Sequence, residues 1–183
     1  GAKNPFSDID AKGRHIYFTD AILWAAEQGI TSGTSATTFE PDGICTRAQV
    51  VTFLWRMAGR PEPDSLVNAF VDVRGDQYYS KAVAWAAESG ITTGTSEKTF
   101  EPDATVTRAQ FVTFLWRYLD RPVSGGYGSF GDVSSGHFAY SAILWAYENG
   151  ITSGTSATTF EPDGPATRAQ VVTFLYRANS LEK

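Results

Sequence analysis

The sequence predicts a mainly helical fold of three helix–loop–helix units closed around a pseudo-threefold axis. The first observation behind this is a motif written three times: Thr46-Arg47-Ala48-Gln49, Thr107-Arg108-Ala109-Gln110 and Thr167-Arg168-Ala169-Gln170. The second is the near identity of its surroundings. From Ala21 to Arg56 and from Ala142 to Arg177 only the residues aligned with Ala26, Gln28, Ile44, Cys45 and Trp55 differ. The third is size: a unit of about 60 residues built from two short helices buries too little apolar surface to stand alone, so its copies must share a core. Neither end carries a polar capping unit, which favours closure over an open array. The units span residues 1–62, 63–123 and 124–183.

Each unit opens with Phe-x-Asp-(Ile/Val), at Phe6–Ile9, Phe70–Val73 and Phe130–Val133, followed by an aromatic-rich approach that includes Tyr17, Tyr78 and Phe138. The first unit has about three extra residues near Asp10-Ala11-Lys12. A stretch rich in Ala, Leu, Trp and Glu then predicts a helix over 20–28, 81–89 and 141–149. It stops at Gly29, Gly90 or Gly150, where a left-handed glycine followed by Ile is the expected C-terminus. Trp24, Trp85 and Trp145 fall within this helical period and read as core. The connector 31–43 is too polar and broken for a helix, with Thr37-Thr38-Phe39 as a brief extended piece.

The second helix begins after Thr46, whose hydroxyl reaches the Gln49 amide while the Gln49 side chain returns the bond. Val50, Val51, Phe53, Leu54 and Met57 supply its apolar face and Gly59 ends it. Linkers 60–69 and 121–129 carry the Pro and Gly expected between units.

A net charge of −5 and a pI near 5.0 give no electrostatic reason to expect nucleic acid. No segment approaches the roughly 20 apolar residues of a membrane span, and Gly1–Pro5 lacks the apolar stretch of a signal peptide. Cys45 aligns with Val106 and Ala166 and reads as a small buried apolar residue.

Chemistry is therefore sought in the repeated polar positions. Arg47, Arg108 and Arg168 sit at the first helical position, where acidic residues are preferred, so a job beyond helix stability is expected. One reading is an anion held by the guanidinium fork and the free amides of the helix N-terminus. The other pairs the arginine with an acidic residue such as Asp8, Asp72 or Asp132. Ser32, Thr93 and Ser153, beside the connector glycine, suit a sugar or carboxylate; the alternative is a hydroxyl serving its own loop. Tyr17, Tyr78 and Phe138 suit stacking on a sugar face.

Other candidates are weaker. Asp8-x-Asp10-x-Lys12-Gly13 is a poor calcium loop, with Lys at the third ligand position. Glu40 and Asp42 read as turn structure and not as paired glycosidase carboxylates. His15 and His137 have no second ligand at metal spacing. Neither a metal, a cofactor nor a catalytic centre is expected.

Taken together, Phe-x-Asp-Val, the aromatic pair, Gly-Ile-x-x-Gly, Thr-Phe-x-Pro-Asp and Thr-Arg-Ala-Gln, three times over, resemble S-layer homology domains across nearly the whole chain. The resemblance implies a pseudo-threefold spindle with a central helical bundle and grooves between neighbouring repeats. It also implies a monomer that attaches exported proteins at the bacterial cell surface to the secondary wall polysaccharide, through a terminal pyruvylated N-acetylmannosamine. On that resemblance Arg47, Arg108 and Arg168 contact the pyruvyl carboxylate. Asp8, Asp72 and Asp132, with Ser32, Thr93 and Ser153, carry over as site residues. Gln49, Gln110 and Gln170 replace the family's Glu, and Tyr17, Tyr78 and Phe138 stand where Trp is usual. A protein–protein or lattice-assembly module is the rival reading, and an enzyme is expected least.

Overall fold

The computed structural model describes residues 3–10, 16–66, 70–126, 128 and 130–181. Their backbone forms six helices: α1 Ile16–Glu27, α2 Arg47–Met57, α3 Ser80–Glu88, α4 Arg108–Tyr118, α5 Tyr140–Glu148 and α6 Arg168–Asn179. Each repeat contributes two of them.

The second helix of every repeat starts as the sequence predicts. Thr46, Thr107 and Thr167 are N-caps, and the reciprocal capping box with Gln49, Gln110 and Gln170 is complete in all three. The first helix ends where glycine puts it. Gly29 takes φ 66°, its N–H donates to the carbonyl of Ala26, and the Ile30 N–H donates to that of Ala25. This pair of bonds satisfies the last carbonyls of the helix and turns the chain.

Two expectations need correction. The first helix of repeat 1 starts at Ile16, four residues before Asp20, so Tyr17 is helical while Tyr78 and Phe138 lie in turns. Thr37–Phe39 is not a strand. The bends cover residues 34–37, where the Thr34 and Ser35 side chains bond Thr38, and the extended pairing between repeats occurs at isolated bridges beside the N-caps.

Those bridges close the molecule. The Cys45 N–H donates to the Ala166 carbonyl, the Ala166 N–H to Val106, and the Val106 N–H to Cys45, each at 3.0 Å. Three equivalent residues thus form a ring of backbone bonds around the pseudo-threefold axis. The second helices α2, α4 and α6 run together beside it, and each packs against the first helix of the next repeat: α2 on α3, α4 on α5, α6 on α1. Repeats 3 and 1, distant in sequence, therefore meet as repeats 1 and 2 do. Phe18, Phe39, Phe100, Phe111 and Phe160 are fully buried in the shared core, with Cys45, Val106 and Ala166 beside them. Trp85 and Trp145 are buried and Trp24 packs against the same core.

Candidate functional site

Closure places each arginine of the repeated motif inside the following repeat. The Arg47 Nε donates to the Phe100 carbonyl at 2.7 Å, Arg108 to Phe160 at 2.8 Å and Arg168 to Phe39 at 2.7 Å. The guanidinium carbons lie 4.6–4.8 Å from the ring centroids of those same phenylalanines. Phe114, Phe174 and Phe53 cover them at 5.4–5.7 Å, a cation–π arrangement in a desolvated setting. All three arginines are at most 5% exposed. Burial lowers their affinity for the proton, while nearby acids (Glu101 and Asp72 for Arg47) partly restore it. Guanidinium stays charged regardless.

Neither sequence reading of the arginines stands unchanged. Among the described residues no carboxylate lies within 4.0 Å of them, so they are not ion-paired with Asp8, Asp72 or Asp132. Nor are the helix N-terminal amides free. Arg47 and Ala48 donate to the carbonyls of Ala104 and Pro102, and Gln49 to its N-cap Thr46; repeats 2 and 3 do the same. The amides of these helix N-termini are therefore already taken within the protein.

The three aspartates position that edge from behind. The Phe100 and Glu101 amides donate to the Asp72 carboxylate at 2.9 and 2.7 Å, and Asp8 and Asp132 hold Phe39–Glu40 and Phe160–Glu161 alike. Each phenylalanine is therefore bonded on its amide by an aspartate and on its carbonyl by an arginine of another repeat. Glu40, Glu101 and Glu161 pay for this with left-handed backbone, φ 56–57°. The connector glycine is likewise an internal need. A Cβ on Gly33, at φ 83°, would strike the Thr38 carbonyl and the Phe6 ring.

Three open grooves result, and each draws on all three repeats. The first is lined by Arg168, by Ser32, Gly33, Gln49 and Arg56 of repeat 1, and by Tyr78 of repeat 2. The second holds Arg47, Thr93, Gln110, Arg117 and Phe138, the third Arg108, Ser153, Gln170, Arg177 and Tyr17. Their volumes are about 230, 340 and 350 Å³. Ser32 thus faces Arg168 and not the Arg47 of its own repeat. The aromatics stand at the groove edges, 60–65% exposed. In the first groove burial raises the Tyr78 phenol pKa above its ordinary value, against the pull of the neighbouring Thr46 side chain and of Arg56.

Sequence reasoning missed the second arginine of each groove. Arg56, Arg117 and Arg177 recur nine residues after the motif arginine of their own helix, which lines a different groove, and that repetition was the available signal. Their Nη1 atoms donate to the carbonyls of Ile30, Ile91 and Ile151. Of the discounted residues, His137 accepts the Ala139 amide on Nδ1, and His15 lies outside the described residues. Burial pushes the Cys45 thiol up to about 12, against the pull of Arg168.

The family model for the S-layer homology domain matches residues 5–51, 69–112 and 129–172. The chain belongs to this family. An endoglucanase of Bacillus sp. (strain KSM-635) is 32% identical over 91% of the chain, and a cell surface protein of Thermoanaerobacter kivui 34% identical over 72%. A cellulosome-anchoring protein of Acetivibrio thermocellus is 27% identical over 79%. The aligned parts make up 18%, 18% and 34% of those relatives, so the likeness concerns one portion of much longer proteins.

Proposed function

We propose that this S-layer homology region anchors a larger protein to the bacterial cell wall by binding the secondary wall polysaccharide. The single observation that carries a ligand site is Arg168 Nη2: it is buried and has no hydrogen-bond partner among the described residues. A buried charged donor left without an acceptor is costly, and a carboxylate entering the first groove relieves it. The ligand is a terminal anionic sugar, pyruvylated N-acetylmannosamine, with its carboxylate on the arginine. Ser32, Thr93 or Ser153 and the capping glutamines meet its hydroxyls, and Tyr78, Phe138 or Tyr17 covers its ring. Asp8, Asp72 and Asp132 serve the site by holding the carbonyls that aim the arginines. Volumes at or below the low end of ordinary small-molecule clefts, about 300–1,000 Å³, suit one sugar per groove. Three weak sites that each take a chain end from the same wall surface gain by effective concentration.

Calorimetry against purified wall polysaccharide, before and after mild acid removal of the ketal-linked pyruvate, tests this. Binding that disappears with the pyruvate supports the carboxylate–arginine contact. Unchanged binding moves recognition to the sugar ring. The exposed aromatic edges favour a second reading, a protein-docking surface, which gains if neither preparation binds.

A further inference from the structure

Arg56, Arg117 and Arg177 are only half-buried, and two of them have company. The Arg60 Nη2 donates to the Gly29 carbonyl at 2.7 Å, one residue from the Ile30 carbonyl that takes Arg56; Arg121 treats Gly90 in the same way beside Arg117. One cation suffices to satisfy a helix C-terminus. Two held side by side repel, and among the described residues no carboxylate lies within 4.0 Å of either. Arg60 accordingly adds to the effect of burial in weakening the hold of Arg56 on its proton.

The Arg56–Arg60 pair faces a second cleft of about 510 Å³, floored by Phe6 and Trp55. That cleft and the Arg168 groove share Thr31, Ser32 and Arg56 as a common wall. In repeat 3 the third groove likewise continues past Thr152, Ser153 and Arg177 into a cleft beside Tyr147, but Leu181 stands where Arg60 stands in repeat 1. A chain of sugars seated by its end in the groove has this cleft as its next stop.

We propose that Arg56 with Arg60, and Arg117 with Arg121, form a second anion subsite for a carboxylate or phosphate on the sugar adjoining the terminal one. The inference rests on the groove reading above. It makes repeats 1 and 2 two-anion sites and leaves repeat 3 with one.

The test compares two probes by calorimetry: the methyl glycoside of pyruvylated N-acetylmannosamine, and wall-polysaccharide fragments of two to three repeating units ending in that sugar. The variant is Arg60→Gln with Arg121→Gln; both side chains are exposed and lie outside the grooves. The fragment is expected to bind about three- to tenfold more weakly, with a shallower salt dependence and an unchanged Tm, and the single sugar as before. An unchanged fragment affinity, or equal losses for both probes, overturns the subsite. If the parent binds neither probe, the groove reading itself fails and takes the subsite with it. Dephosphorylating the fragment separates the sources: an effect that vanishes assigns phosphate, one that persists assigns carboxylate.

Discussion

Arg168 Nε and the Phe39 carbonyl are joined by a 2.7 Å hydrogen bond across 129 residues of sequence. The same bond latches repeat 3 onto repeat 1 and fixes which edge of the guanidinium is left for a ligand. Its Phe39 peptide is anchored from the other side by Asp8.

Arg168→Lys keeps the charge but cannot donate through Nε and present a fork at once, and its ammonium stacks less well between Phe39 and Phe53. Arg168→Ala removes the charge outright. Both variants should lose glycan affinity at the first groove, the alanine by about 1.5–3 kcal/mol if charged hydrogen bonds are made there. Titrating single and triple arginine variants checks this; a triple variant that binds like the parent would sink the assignment.

Asp72→Ala leaves the Phe100 and Glu101 amides without their acceptor, and it frees the carbonyl that steers Arg47. An expected loss of about 1–3 kcal/mol in urea unfolding follows. Affinity at the second groove should drop although no ligand-facing atom has changed.

Asp132 gives a pH signature. Burial pushes its carboxyl up, but the Phe160 and Glu161 amides and the nearby Arg108 outweigh this and hold it below its ordinary value. A depressed folded value means that its contribution is present above the ordinary value of 3.8 and is lost as pH falls through the lower folded one. Asp132→Asn should therefore be less stable at neutral pH and show a flatter acid limb in melts between about pH 5 and 2.

The thiol of Cys45, pushed up to about 12, stays protonated and enclosed at neutral pH. A thiol reagent at pH 8 should label it only at the rate at which the ring of backbone bonds opens, and at once in denaturant.

A fragment of residues 1–123 lacks α6, on which α1 packs, and Ala166, which completes the axial ring. It should melt without a cooperative transition. A sharp Tm close to the parent's would show that closure contributes little.

The sequence was most legible where chemistry is local. The Thr–Gln capping boxes and the glycine-led helix ends follow from bonds within a few residues of each other, and the structure has them. The helix at Tyr17 was less so, because the first repeat departs from its siblings just before it. The arginines stood out as unfavourable choices for a first turn, yet their surroundings were misjudged. The amides beside Arg47 are consumed by Ala104 and Pro102, carbonyls that only closure brings near. For the same reason the groove partner of Ser32 is Arg168 and not the Arg47 of its own repeat, which sequence order does not reveal. Arg56 was overlooked because a helix-end arginine looks like an ordinary dipole partner until its neighbour Arg60 is placed beside it.

The make-up of the grooves sets an arithmetic for shortened forms. A groove takes its buried arginine, its hydroxyl and its aromatic from three different copies. One copy alone then holds no complete site, and neither do two; the third supplies all of them together. On the proposed reading, capacity to bind is expected not to grow in proportion to the number of units but to appear in a single step.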